Sequence, residues 1–204
     1  MADTDATPTR SAVLELKDER RSMHEGYVFL DEKCLLLAGE MLRELRRHDE
    51  SRQAFEAARR DALAALEAAI ARHGLDGLQA FPAADATGLD VRRTPRTVMG
   101  VRLQDAALAA GASSAPPAVA PSPEAEACRR AHARLVALSV PLAATAGNLE
   151  RLRHEYRRAV RRARALQDVL LPEISTAVAS IETRLEELEQ EDAVWMRQGA
   201  MRPV

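Results

Sequence analysis

Two runs of charge hold most of the chemistry available to this chain. RLRHEYRRAVRRAR brings together Arg151, Arg153, Arg157, Arg158, Arg161, Arg162 and Arg164, and ETRLEELEQED follows with Glu182, Glu186, Glu189 and their neighbours. Clustered guanidinium groups attract anions over several ångströms, with a strength that falls as salt rises. Nucleic acid is one partner for such a stripe, but no aromatic platform or recognised binding motif accompanies it. For any single arginine, a solvated helix face is the better reading. The acidic run has the opposite sign and suits cross-helix pairing with LKDERR, where Lys17, Arg20 and Arg21 could meet Glu182, Glu186 and Glu189. Exposed pairs of that kind contribute about 0–1 kcal/mol each, so their expected role is to favour one register.

The other reactive residues are scattered. The chain contains no G-x-x-x-x-G-K-[ST] phosphate loop, no H-E-x-x-H and no G-x-S-x-G. His24, His48, His73, His132 and His154 lack a second histidine at ligand spacing, and Cys34 and Cys128 fit no metal pattern. Cys34 falls on an apolar seam, where a small buried side chain is the natural reading rather than a nucleophile. Neither an enzyme, a metal centre nor a cofactor is expected.

The elements that carry these residues are long helices. Aromatic residues make up only 3% of the chain, too few to fill a thick multilayered core. Over residues 11–72 there is no proline, and Val13, Leu16, Met23, Tyr27, Leu30, Cys34, Leu37 and Met41 recur in alternating steps of three and four, with Arg20 in the one polar slot. That is a heptad seam. It then loosens through Leu45, His48, Phe55, Ala62, Leu66 and Ile70, and His73-Gly74 reads as a helix stop. A second helix is expected over residues 123–197, with a stripe at Leu135, Leu138, Leu142, Leu149, Leu152, Tyr156, Ala159, Ala163 and Leu166. The stripe goes on through Leu170, Ile174, Ala177, Ile181, Leu185 and Leu188 in steps that form an 11-residue repeat, where the supercoil should relax or reverse. Pro141 and Pro172 should bend this helix modestly rather than end it.

The fold class expected is all-α, a long antiparallel two-helix coiled coil with a small β-hairpin and linker between the helices. Its parts are residues 1–73, 74–123, 124–198 and a tail at 199–204. At ~1.5 Å per residue, a helix of roughly 70 residues is about 100 Å long. Folding back places residues near Leu16 beside Leu188 and residues near Arg46 beside Arg162, so that Arg43, Arg46 and Arg47 would join the arginine run in a basic collar. LDVRRTPRTVMGVRL reads as a short hairpin with its turn at Thr94-Pro95, and residues 104–123 as an Ala/Pro-rich linker. The opening MADTDATPTR has no apolar core of a secretory signal, and no apolar run is long enough to cross a bilayer.

Four segments, in order, resemble the D-subunit family of the V-type and A-type rotary ATPases. The opening TPTRSAVLELKDERRSMHEGYVFLDEKCLLL is similar at Pro8, Thr9, Arg10, Leu14, Leu16, Gly26, Leu30, Lys33 and Leu37. VRRTPRTVMGVRL looks like the family's middle segment ending at Val98, Met99, Gly100 and Val101. RRARALQDVLLPEI matches at Arg161, Arg162, Ala165, Leu166 and Pro172, and IETRLEELEQED at Ile181, Leu185, Glu187, Leu188, Glu189 and Glu191. The chain departs from the family at Asp31, Cys34, Leu35, Arg164 and Gln167, none of which disturbs the apolar seam as read.

The resemblance implies a non-catalytic central rotor shaft, peripheral to a membrane on its cytoplasmic side and not inserted in it. Its partners would be the catalytic A and B subunits of the head, the small F subunit and the funnel-shaped subunit above the membrane ring. No nucleic acid is implied. Partner contact is expected at Gly26, Lys33, Arg157, Arg158, Arg161, Arg162 and Pro172, with the arginines against acidic loops of the head. The coiled-coil seam is expected at Leu16, Met23, Leu30, Leu37, Leu152, Tyr156, Leu166, Ile181, Leu185 and Leu188. A gamma-like subunit of an F-type ATPase needs a larger insert between its helices. The competing class is a free-standing coiled-coil adaptor that homodimerises through the same seams.

Overall fold

The computed structural model describes residues 9–82, 89–109 and 122–200. Helix α1 (Arg10–Leu78) starts at Thr9, whose hydroxyl accepts the Ala12 N–H at 3.2 Å. Near its other end Gly74 adopts φ 72°, ψ 167°, a conformation open only to glycine, and breaks the helix there. Strands β1 (Val91–Val98) and β2 (Val101–Leu108) form an antiparallel hairpin. Helix α2 (Pro123–Ala165) is capped by Ser122, whose hydroxyl accepts the Ala125 N–H at 3.3 Å, with Pro123 preset for the first helical position. One turn of π-helix (Leu166–Leu170) then leads into α3 (Leu171–Ala200). The fold is thus an all-α coiled coil with a hairpin insert. It divides into two units, Met1–Leu35 with Arg157–Val204, and Leu36–Tyr156.

In the first unit, Val13, Ile174 and Val178 are buried, with Leu16, Met23, Ile181 and Leu185 packed around them. Lys17 Nζ meets Glu182 and Arg10 meets Glu189, each at 2.6 Å, which fixes an antiparallel register. Of the cross-helix pairs expected, Lys17–Glu182 forms. Glu189 goes to Arg10 instead, and Arg21 meets Asp18 on its own helix at 3.5 Å.

The π-turn explains the change of repeat read from the sequence. Ala163 is buried and Leu166 half-buried, but Leu170 is exposed and the stripe passes to half-buried Leu171, then to Ile174 and Val178. The step from Leu166 to Leu171 is five residues, which is the period of a π-turn, and the Leu171 N–H donates to the Leu166 carbonyl. One extra residue is therefore absorbed locally. Beyond it the seam runs Ile174, Val178, Ile181, Leu185 in heptad steps, with Val178 in place of Ala177, and Leu188 is exposed. Pro172 sits just past the widened turn, where the helix has already opened ahead of the residue that has no N–H. The helix runs on through Pro172 as expected, although the device is a π-turn rather than an altered supercoil.

In the second unit, Leu37, Val101, Leu103 and Leu152 form a core backed by Met41, Val98, Met99 and Tyr156. Here α1 keeps strict steps of three and four through Leu37, Met41, Glu44, His48, Ser51, Phe55, Ala58, Ala62, Ala65 and Ala69. Glu44, Ala58, Ala62 and Ala69 are all essentially inaccessible, whereas Leu45 and Ile70, read as seam, are exposed. The seam does not loosen; it changes composition, because small side chains fill a close helix approach where leucines would not fit.

The hairpin also differs from its reading. The turn lies at Met99-Gly100, while Thr94 and Pro95 are inside β1 opposite Asp105 and Gln104. Both turn residues have positive φ, 47° and 82°, as two-residue hairpins require. That conformation strains Met99, whose side chain packs on the core in return. Residues 104–108, read as linker, belong to β2, and 110–121 lie outside the described residues.

Deleting exposed Val169 together with Pro172→Ala should convert the π-turn to regular helix and leave the seam in phase, changing stability by less than ~1 kcal/mol. Deleting Ser180 instead rotates the following residues by about 100° and turns Ile181 and Leu185 out of the core, at a cost of roughly 2 kcal/mol or more. Thermal denaturation of the two variants checks this; equal losses would mean the π-turn holds no spare residue.

Candidate functional site

The hairpin presents Val98, Arg96, Val101, Leu103 and Asp105 on one face, which follows from the strand alternation and the Val98–Val101, Arg96–Leu103 and Thr94–Asp105 pairing. The valines and Leu103 enter the core. Arg96 carries a charge to the same face, and α1 answers it with two carboxylates one turn apart. Arg96 Nη1 donates to Glu40 at 2.5 Å and Nη2 donates to Glu44. Glu40 and Glu44 are 4% and 0% exposed.

The same stretch of α1 adds Arg43, whose Nε donates to Glu40 at 2.8 Å, and Arg47, which donates to both Glu44 and Asp105 at 2.8 Å. From α2, Asn148 completes the arrangement. Its amide nitrogen donates to Glu44 at 3.1 Å and to the Gln104 carbonyl at 2.9 Å, while its oxygen accepts the Gln104 N–H at 2.9 Å. Asn148 thereby reads the edge of β2 as a neighbouring strand would. Gln104 points its backbone groups at Asn148, so it makes a non-hydrogen-bonded pair with Pro95, which costs the ladder nothing at that position.

The carboxylates of Glu40, Glu44 and Asp105 balance the guanidinium groups of Arg43, Arg47 and Arg96. Burying such ions costs several kcal/mol each before pairing, so the cluster contributes little net stability but defines one arrangement strongly. Arg96 Nε is buried with no partner among the described residues, a further small cost. Burial pushes Glu40 upward, and the hydrogen bonds from Arg96 and Arg43 outweigh it, holding the carboxyl below its usual range. Next to the clamp, His48 Nδ1 lies 3.2 Å from the Thr145 hydroxyl, which donates back to Pro141 or Leu142 within α2.

These contacts correct the expected register. Glu44 meets Asn148 and His48 meets Thr145, which is the register of the helix pair within the second unit. Arg43 and Arg47 are committed to the clamp in the second unit, whereas Arg157, Arg158, Arg161 and Arg162 are exposed in the first. Arg43 and Arg47 therefore serve the clamp, where the sequence alone suggested a basic collar. That expectation assumes that the chain ends coincide, but the hairpin and the cap at Ser122, 2.5 Å from His73 Nε2, set the register from the other end.

Among the other expected positions, Leu37 and Leu152 are fully buried. Leu16, Met23, Leu30, Tyr156, Leu166, Ile181 and Leu185 are half-buried, as is Lys33, and Pro172 is exposed. A Cβ on Gly26 would stand 3.8 Å from Leu166 Cδ1, an ordinary contact, so the chain's own packing does not demand glycine there. Asp31, Leu35, Arg164 and Gln167 are exposed, and Cys34 is buried, where desolvation and then Asp31 push its thiol pKa up. Among the described residues no His, Cys, Asp or Glu cluster is placed to hold a metal, and no helix is long and apolar enough to cross a membrane. Sequence reasoning missed Glu40, Glu44, Arg96 and Asn148. The signal was present for Glu44: the strict three-four alternation lands on it, and following hydrophobicity to Leu45 lost it.

The geometry is that of a helix pair bearing a hairpin clamped by Glu40, Glu44 and Asn148. A family model described as the ATP synthase D subunit matches residues 12–198. The V-type ATP synthase D subunit of Anaeromyxobacter dehalogenans strain 2CP-C is 33% identical over 199 residues, 94% of each chain. That of Anaeromyxobacter sp. strain K is 32% identical over the same share. The chain belongs to the ATP synthase D-subunit family.

Because the folded pKa of Glu40 is depressed, its contribution is fully present above the ordinary carboxylate range and is lost as pH falls through the lowered value. Glu40→Gln should flatten the acid limb of a stability-against-pH profile, and Arg96→Ala should cost about 1–3 kcal/mol at neutral pH. Chemical denaturation across pH measures both; an acid limb unchanged in Glu40→Gln would refute the coupling. Separately, Gly26→Ala should raise the stability of the isolated chain by roughly 0.5–1 kcal/mol, since a Cβ fits and helix propensity improves. A loss in the same denaturation assay would show that the chain itself needs glycine there.

Proposed function

We propose that this chain is the central rotor shaft of a V/A-type rotary ATPase. It transmits torque between ATP hydrolysis or synthesis in the catalytic head and ion translocation in the membrane ring. The observation that carries this reading is the match over 94% of both chains to proteins named as the D subunit of V-type ATP synthases. The mechanics are compatible. Within each unit, two helices are tied by an apolar seam, and cross-helix pairs such as Arg10–Glu189 and Arg96–Glu44 oppose sliding. Torque passes through such a pair only if neither helix slips along the other.

The role is non-catalytic. The partners are the A and B subunits of the head, the F subunit and the funnel-shaped subunit above the ring, with the complex peripheral to the cytoplasmic face of a membrane. Arg157, Arg158, Arg161 and Arg162 are exposed on the helix surface. They face acidic loops of the head, because salt-sensitive attraction depends weakly on rotational position and so suits a turning contact. Gly26, Lys33 and Pro172 contribute to partner contact on the strength of the family resemblance.

Reconstitution of the ATPase with altered chains tests the reading. Truncation after Leu171 should permit assembly at the foot but uncouple ATP turnover from ion transport. Neutralising Arg157, Arg158, Arg161 and Arg162 to Gln should lower the salt concentration at which the head dissociates. Full coupling by the truncated chain would sink the shaft assignment, and an unchanged salt profile would sink the arginine contact. Sedimentation of the isolated chain as a stable homodimer would favour a free-standing adaptor instead.

A further inference from the structure

The hairpin is held far more firmly than its own two strands could manage. A two-stranded hairpin is marginal by itself. Here Val101 and Leu103 are buried, Arg96 spans two buried carboxylates and Asn148 grips the backbone of Gln104. Buried ion pairs do little for net stability compared with apolar packing, and what they secure is a single orientation. Besides setting the register of the helices, a fixed orientation presents the opposite face of the hairpin as a rigid surface.

That opposite face is exposed and carries charge, with Arg102 lining a groove together with Glu150 and Glu155 of α2. Strand alternation and pairing put Arg93, Pro95, Thr97, Arg102 and Gln104 on it, with Val91, Ala106 and Leu108 towards the far end. Arg93, Pro95, Thr97 and Arg102 are exposed, and neither arginine has an ion-pair partner among the described residues. Within residues 91–108 the acidic group is Asp105, which faces inward and is engaged by Arg47. Arg102 is paired with Thr97, four residues along β1 from Arg93, so the two charges stand about 13 Å apart along the strand.

We propose that the outer face of the hairpin, centred on Arg93 and Arg102, docks on an acidic surface of another protein subunit. Charge complementarity selects the partner, and the rigid spacing of the two guanidinium groups fits carboxylates fixed on a folded surface better than mobile lipid headgroups. Nucleic acid is disfavoured because residues 91–108 contain no aromatic side chain on which a base could stack. Pro95 removes a donor from the outer edge of β1, so contact is through the face of the hairpin rather than by adding a strand. This docking rests on the proposed place of the chain in an ATPase complex.

The test compares the wild-type chain with Arg93→Glu/Arg102→Glu, both within the purified ATPase and alone. The double variant leaves the clamp untouched, and its isolated chain should denature as wild type does. In the complex, hydrogen exchange at the hairpin of the wild-type chain should be at least about tenfold slower than in the isolated chain, and added salt should remove the difference. The double variant should show no such slowing. Equal exchange of the wild-type hairpin in the complex and alone, or slowing that survives the double charge reversal, would overturn the docking face while leaving the shaft assignment intact. Failure of the wild-type chain to enter the complex would overturn both. Binding of the isolated chain to phosphatidylglycerol vesicles or to single-stranded DNA, lost in the double variant, would overturn it in favour of a lipid or nucleic-acid partner.

Discussion

A carboxylate cannot sit in a helix seam without something to receive it, and the second unit is arranged around that requirement. Glu44 occupies a strict heptad position and is wholly buried. It is tolerable there because Arg96 arrives from the hairpin, Arg47 from one turn along α1 and Asn148 from α2. Three elements distant in sequence must therefore converge on one oxygen pair. Sliding either helix, or lifting the hairpin, would strand a charge in a low-dielectric site. The apolar seam supplies attraction, but an alanine-rich seam is nearly indifferent to register. Glu44 is what makes the register singular.

The first unit solves a different problem by different means. Its seam is apolar, with exposed ion pairs at Arg10–Glu189 and Lys17–Glu182 that add direction rather than strength. One residue more than the heptad allows lies between Leu166 and Ile174, and the helix takes it up in a single π-turn. Pro172 follows at once, so the two irregularities are placed where one local deformation serves both. Val178 and Ile181 can then face the core without any change in winding along the rest of the helix.

These two devices bear on function in the same way. In the proposed role as a shaft, the fold serves by keeping its surfaces in fixed positions. The hairpin illustrates this: its VMGV run is a closing valine pair around a positive-φ turn, and its inner face is locked to both helices. The arginines at the end of α2 and the outer face of the hairpin stay at the surface because the charges needed internally come from other residues.

The sequence by itself determined the two long helices, the hairpin between them, the family and most of the first-unit seam. Local periodicity and a stop signal such as His73-Gly74 act over a few residues, and so can be read from a few residues. It did not determine the register, the turn at Met99-Gly100 or the clamp. Thr94-Pro95 looks like a turn until Asn148 is seen holding Gln104 opposite it. Glu40 and Arg96 look like solvated surface until they meet. Tertiary structure decided those, because the energy of a buried charge depends on which partners, tens of residues away, are brought within hydrogen-bonding distance. No pattern along the chain records that distance.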